Sequence, residues 1–140
     1  MAAMSLLGCN SSKSTQQDSS AQPIKIDSLT IVGNDKDEHG CIASAGYTWS
    51  VVKDSCIRLW ETGILLKSVE VNQTYNADAV IILSADKTQA ELFLPTQKES
   101  IILNRTKKQG KYSWIKDNIE LSSSKGYSLI QEGKLTFSKE

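Results

Sequence analysis

The run AVIILSADKTQAELFLP, residues 79–95, carries the clearest fold signal in the chain. Its aliphatic segment Ala79–Leu83 is followed by the turn-forming sequence Ser84–Lys87 and by a second apolar segment, Glu91–Leu94. Short apolar segments separated by a polar turn are typical of two antiparallel strands joined as a hairpin. The run therefore predicts a β-hairpin.

Segments of the same kind recur at short, regular intervals on both sides of this hairpin. They are Tyr47–Val52, Cys56–Glu61, Ile64–Leu66, Ile101–Leu103, Tyr112–Ile115, Asn118–Leu121, Tyr127–Ile130 and Leu135–Phe137. No window of about 12 residues has a sustained helical period. The pattern predicts an all-β protein, an antiparallel meander of about eight short strands that closes into a small barrel or packs as a sandwich.

The N-terminal stretch Leu6–Cys9 (Leu-Leu-Gly-Cys), followed by a polar run, resembles the lipobox and tether of bacterial lipoproteins. The resemblance implies that residues 1–9 are a signal peptide cut short at its start and that Cys9 carries the lipid, with palmitate among its acyl chains. It also implies a flexible tether over residues 10–28 and a protein anchored in the cell envelope. We expect anchoring to the outer membrane, facing the periplasm or the cell surface. The alternative is that Leu-Leu-Gly-Cys is a chance match and residues 1–30 are a disordered tail.

The other two cysteines of the chain, Cys41 and Cys56, form an even pair once Cys9 is assigned to lipid. In an exported protein an even pair favours a disulfide. The alternatives are two buried free thiols or half of a metal site, but a zinc site needs about four nitrogen or sulfur ligands, and His39 is the one histidine. We therefore predict a Cys41–Cys56 disulfide, which would stabilise the fold by about 3 kcal/mol.

The sequence gives no signal for a metal site, a cofactor or an enzyme. Asp35, Asp37 and Gly40 match the first, third and sixth positions of a calcium loop, but Gly46 stands at the twelfth, where a bidentate Glu is needed. A solvated acidic turn is the expected structure. His39 is the possible base of a Ser/His hydrolase, but the sequence contains no recognisable nucleophile elbow. We also expect that no carboxylate lies in an apolar run that would raise its pKa. These observations predict a protein that is not an enzyme.

Charge patterning limits the classes of partner. Lys plus Arg and Asp plus Glu number 16 each, so the formal net charge is zero, which gives no reason to expect nucleic acid as a partner. Residues 1–63 hold five Lys/Arg and seven Asp/Glu, whereas residues 64–140 hold eleven and nine. The mildly basic second part would not steer the protein toward a basic partner.

The segment Gly40–Trp49, with Cys56–Arg58 after it, resembles a small motif of exported bacterial proteins. That motif is Gly-Cys-x-x-Ser-Ala-Gly-Tyr-x-Trp followed by Cys-Ile/Val-Arg. Its cysteine spacing and aromatic residues imply a disulfide-stapled hairpin within residues 29–63. A preceding short strand or docking segment is predicted at residues 28–33. We interpret the motif as structural.

Residues 78–140 resemble the membrane-bound inhibitors of c-type lysozyme, which are bacterial lipoproteins with a small antiparallel β-barrel. The matching segments are Ala90–Pro95, Gly110–Tyr112, Leu121–Leu129 and Glu132–Phe137. The family's two cysteines in this region have no counterpart, because no residue after Cys56 is Cys. The resemblance implies a barrel over residues 64–140, with residues 29–140 forming one folded unit.

The resemblance also implies a site. In that family a serine and a lysine, each just before a glycine, lie on adjacent loops, enter the lysozyme cleft and engage its two catalytic carboxylates. Lys125 before Gly126 matches the lysine, whereas Gln109 before Gly110 stands in the serine's place. The implied lysozyme-binding residues are Gln109, Gly110, Lys111, Tyr112, Ser124, Lys125 and Gly126. The alternative is a structural or ligand-binding envelope lipoprotein that shares the barrel and does not inhibit.

Overall fold

A computed structural model of the chain describes residues 35–70 and 77–140. The predicted signal peptide (1–9), lipidated Cys9, tether (10–28) and segment 28–33 lie outside the described residues. Within the part described, the chain from residue 35 onward belongs to one compact unit, Gly33–Glu140. No helix in the described residues is long and apolar enough to cross a membrane.

Eight antiparallel strands form a closed barrel in which each strand pairs with the next along the chain, and the last returns to pair with the first. The strands are β3 (Ile64–Ser68), β4 (Ala79–Leu83), β5 (Gln89–Phe93), β6 (Ile101–Lys108), β7 (Lys111–Lys116), β8 (Ile119–Ser122), β9 (Tyr127–Gln131) and β10 (Lys134–Lys139). The prediction of a small antiparallel barrel is confirmed. Closure leaves these eight strands without an unpaired edge.

A separate two-stranded hairpin precedes the barrel, and its strands are β1 (Thr48–Ser50) and β2 (Ser55–Ile57). A disulfide joins Cys41 to Cys56, with a Cα–Cα distance of 5.5 Å. It ties β2 to the loop that precedes β1, as predicted. We call residues 35–57 the stapled segment.

The expected strand Cys56–Glu61 is wrong in its second half, because β2 ends at Ile57 and a single helical turn, α1 (Leu59–Thr62), follows. The turn closes with a hydrogen bond from the Gly63 N–H to the Leu59 carbonyl. It places Trp60 against Gly46, where an added Cβ would lie 2.0 Å from the indole ring. One turn is too short to produce a helical period, so the hydrophobic pattern could not reveal it.

Strand alternation decides which side chains fill the barrel. On β4, Ile81 points into the core with Leu92, Leu103 and Leu129 from other strands, all of them fully buried. Its neighbours Val80 and Ile82 are also buried, in a second cluster with Ile57 and with the partly buried Val52, Leu59 and Phe93. The stapled segment therefore covers the outer face of β4, which explains why Ala79–Leu83 is apolar at every position.

The connections between strands divide the barrel into two ends. One end, here called the Lys125 end, carries the loop 84–88, the turn 109–110 and the loop 123–126. The opposite end carries the loop 94–100 and the two turns at residues 117–118 and 132–133. Because the strands alternate in direction, connections that follow even-numbered strands share the Lys125 end.

Candidate functional site

The turn between β6 and β7 carries the first group of sequence-predicted residues. Gln109 and Gly110 both have positive φ, 51° and 79°, as a two-residue type I′ hairpin turn requires. Around this turn every residue from Asn104 to Tyr112 is exposed. The tip of the β6–β7 hairpin, with Lys111 and Tyr112, therefore presents its side chains to solvent.

The loop between β8 and β9 carries the second group. Ser124, Lys125 and Gly126 are exposed. Gly126 has φ +72°, and a Cβ there would lie 2.0 Å from the backbone oxygen of Lys139. Glycine is thus required both by the backbone conformation and by the close approach of β10. This contact fixes the backbone immediately after Lys125.

The structure brings both groups to the Lys125 end of the barrel. The Ser123 hydroxyl donates to the Tyr112 carbonyl at 3.5 Å, which joins the loop to the start of β7. The Ser122 and Ser124 hydroxyls lie 3.4 Å apart within the same loop. In the described residues no hydrogen bond or ion pair joins Lys125 to Gln109, and Lys125 itself makes no ion pair. Its ammonium group is available to a partner.

Basic side chains dominate the β6–β7 hairpin. The Arg105 guanidinium lies 5.0 Å and the Lys107 ammonium 6.0 Å from the centre of the Tyr112 ring, distances at which a cation is attracted to an aromatic face. Lys108 and Lys111 form a cross-strand pair at the tip. Ion pairs within the described ranges all involve other residues, so this hairpin carries uncompensated positive charge.

The loop 84–88 at the same end contains interactions that sequence reasoning missed. The Asp86 carboxylate accepts hydrogen bonds from the Thr88 N–H and from the Ser84 and Thr88 hydroxyls. These donors, the Thr88 N–H first, lower the Asp86 pKa to about 2. The Trp114 indole donates to the Lys87 carbonyl at 2.9 Å. The Trp114 hydrogen bond therefore ties the Asp-centred loop 84–88 to β7.

The acidic loop of the stapled segment uses its carboxylates to organise its own backbone. Asp37 accepts from the His39 and Cys41 N–H groups at 2.9 and 2.8 Å. Asp35 accepts from the N–H and the hydroxyl of Ser44, and these bonds lower its pKa. No group of three or more His, Cys, Asp or Glu in the described residues could hold a metal ion. The acidic residues act here as caps of tight turns.

The aromatic residues of the same segment are held by stacking. The imidazole of His39 lies parallel to the Trp49 indole, with ring centres 4.4 Å apart. The Arg58 guanidinium lies 4.6 Å from the centre of the Tyr47 ring, and its Nε donates to the Ala45 carbonyl. The motif residues therefore hold one another in place, which agrees with a structural interpretation.

Sequence reasoning missed Glu91, a buried carboxylate within an apolar run. Glu91 stands between Ala90 and Leu92 on β5 and has an exposed fraction of 0%. Its side chain points to the outer face of the barrel, where the stapled segment covers it. The run Ala90–Leu94 contained the signal: a lone acid among apolar residues must find donors when buried.

Comparison with known proteins adds no relative to this description. No family model matches the chain, and neither curated proteins nor solved structures give a match.

Proposed function

We propose that this protein binds a c-type lysozyme and inhibits it by inserting the Lys125 loop into the catalytic cleft. One observation carries the proposal: the closed barrel places Ser124-Lys125-Gly126 and Gln109-Gly110 at the same end, on neighbouring connections tied by the Ser123–Tyr112 hydrogen bond. Adjacent loops on a rigid scaffold can enter a cleft together.

The chemistry of the loop suits a site that contains carboxylates. Lysozyme keeps one catalytic carboxyl protonated and the other ionised. The exposed Lys125 ammonium could donate a charge-assisted hydrogen bond to the ionised carboxylate, in the space where positive charge develops on the sugar. Substrate would be excluded sterically, and no covalent step is needed. The proposed role is that of a binding protein without catalytic activity.

Gln109 changes the second contact. A serine hydroxyl is short and can both donate and accept, whereas the Gln109 amide reaches further from its backbone. Gln109 has φ 51°, so its side chain extends from a residue in the left-handed backbone conformation. We propose that the amide hydrogen-bonds the protonated lysozyme carboxyl, with Lys111 and Tyr112 bordering the contact.

Attachment to the envelope completes the proposal and rests on the sequence alone. A lipid on Cys9 would hold the protein on the outer membrane, and a polar tether would let the barrel reach a soluble lysozyme. Expressed in a bacterium that processes lipoproteins, the protein should partition into detergent, and Cys9→Ser should release it or block its maturation.

The direct test of the proposed function is a cell-wall lysis assay. Purified protein is titrated against a c-type lysozyme, and turbidity is followed over time. Inhibition that saturates at a defined stoichiometry supports the proposal. No slowing of lysis at any protein concentration would leave the non-inhibitory envelope lipoprotein as the better account.

A further inference from the structure

The stapled segment forms one side of an open groove that lies away from the Lys125 end. Its volume is about 750 Å³, within the range of about 300–1,000 Å³ that is typical of small-molecule sites. Trp49 lines it from β1, Tyr47 lines it from the position just before that strand, and His39 lines it from the acidic loop. The segment Lys98–Ser100, between β5 and β6, lines the facing side. We call this space the hairpin groove.

Its aromatic side chains are fixed before any ligand arrives. Alternation along β1 sends Trp49 to the face opposite Ser50, which is buried against the barrel. His39 stacks on Trp49 and Arg58 lies over Tyr47. The disulfide restrains the loop that carries His39. Rings held in this way lose little conformational freedom on binding.

The polar lining is mixed and carries more acid than base. Asp37, Glu38 and Glu99 contribute carboxylates and Lys98 contributes an ammonium group. One Asp37 oxygen is committed to backbone N–H groups of its own loop. The Glu38 side chain is 88% exposed and lies 3.7 Å from the His39 imidazole. The groove thus offers acceptors, a donor and flat apolar surface together.

We infer that the hairpin groove binds a short neutral oligosaccharide. Sugar rings have apolar C–H faces that stack on aromatic rings, and their hydroxyls both donate to carboxylates and accept from an ammonium group. A wholly apolar ligand would desolvate the carboxylates without replacing their hydrogen bonds. An anionic sugar would be repelled by Asp37, Glu38 and Glu99, whereas a cationic peptide would be attracted to them and is the competing occupant that the titration below includes.

This site shares no residue with the proposed lysozyme contact and lies on another part of the fold. The two proposals can therefore fail separately. A failure to inhibit lysozyme would not test sugar binding in the groove. A failure to bind sugar would not test the proposed role of the Lys125 loop.

Isothermal titration of the full chain with cellotriose, maltotriose, N,N′,N″-triacetylchitotriose and trigalacturonate tests the inference. We expect at least one neutral trisaccharide to bind with a Kd in the millimolar range or lower. Trigalacturonate should bind at least about tenfold more weakly, which corresponds to about 1.4 kcal/mol of binding free energy. Trp49→Ala should weaken the neutral ligand by about tenfold or more. Glu99→Gln, at an exposed position of the facing loop, should weaken it by about threefold or more because an acceptor is lost.

Two controls keep the result interpretable. Asp54→Asn removes an exposed carboxylate from the stapled segment outside the groove, at a φ of 51° that Asn tolerates, and should bind sugar as the unsubstituted chain does. Trp49→Phe keeps an aromatic ring and should retain partial binding. The inference is overturned if no neutral trisaccharide binds, if Glu99→Gln and Trp49→Phe leave binding unchanged, or if a tetralysine peptide or trigalacturonate occupies the groove in preference.

Discussion

The Glu91 carboxylate lies 2.6 Å from the Ser50 hydroxyl, although the two residues belong to different sheets and are 41 positions apart in the sequence. Glu91 also accepts from the Val51 and Val52 N–H groups and from the Ser100 hydroxyl. Four donors therefore converge on one buried carboxylate on the outer wall of the barrel. This carboxylate holds the turn of the stapled segment against β5.

The first prediction concerns that contact. Glu91→Gln should lower the free energy of unfolding by about 1–3 kcal/mol, because an NH₂ group would face N–H and O–H donors and leave some of them unsatisfied. Urea denaturation measures the change. Glu120→Gln is the matched control, since the half-buried Glu120 carboxylate accepts a hydrogen bond from the Ser113 hydroxyl alone among the described residues, and its loss should cost less. Equal losses for the two variants would contradict the role given to Glu91.

The disulfide gives a second prediction. Cys41 and Cys56 should resist thiol reagents in the native protein until a reductant is added. Replacing both with Ser should lower the free energy of unfolding by about 2–4 kcal/mol, because the unfolded chain regains the freedom that the closed loop removes. If both thiols of exported protein react freely with the reagent without reductant, the disulfide does not form in the exported protein.

Asp86 predicts a pH dependence. Its pKa is lowered from 3.8 to about 2 in the folded chain, so the folded state favours the ionised form. The sign follows: the contribution to stability is present above the unfolded pKa and is lost as the pH falls from about 4 toward 2. Asp86→Asn should be less stable than the unsubstituted protein at pH 7, and the gap should narrow across that window.

Thermal unfolding of both proteins at several pH values checks this prediction. Asp117→Asn, in an exposed turn where φ is 51°, controls for removing one surface carboxylate. A gap between Asp86→Asn and the unsubstituted protein that stays constant from neutral to acid pH would contradict the assigned hydrogen bonds.

Gly126 and Gly133 form a matched pair for the next prediction. Both have positive φ, +72° and +80°, but a Cβ at Gly126 would meet the Lys139 backbone, whereas a Cβ at Gly133 has no atom within 4 Å. Gly133→Ala should cost about 1 kcal/mol from backbone strain, and Gly126→Ala distinctly more. Circular dichroism melts compare them. A smaller loss at Gly126 than at Gly133 would mean that β10 does not pack there.

Much of the barrel was predictable because its signals are local. Apolar segments such as Ala79–Leu83, separated by short turns, predicted both the strand class and the antiparallel order. Turn chemistry was equally local: the Gln109-Gly110 and Glu132-Gly133 turns each pair a residue in the left-handed region with a glycine. The Cys41–Cys56 pairing followed from counting cysteines in a chain expected to be exported.

The features that could not be predicted from the sequence depend on contacts between distant segments. The helical turn α1 forms where Trp60 packs on Gly46, and the burial of Glu91 depends on a hairpin forty residues earlier. The candidate site was partly predictable: the motif placed Lys125 and Gln109 before glycines, and closure of the barrel then brought their loops to one end. That proximity follows from the meander order, in which connections two strands apart share one end of the barrel.

The most direct test of the central claim is the effect of Lys125→Ala on inhibition of a c-type lysozyme. Losing one partner of a desolvated charge pair typically costs about 2–5 kcal/mol, so inhibition should weaken by about tenfold or more, while the melting temperature stays nearly unchanged because Lys125 is exposed. Lys116→Ala, an exposed lysine at the opposite end of the barrel, should inhibit as the unsubstituted chain does. Inhibition that survives Lys125→Ala intact would contradict the account.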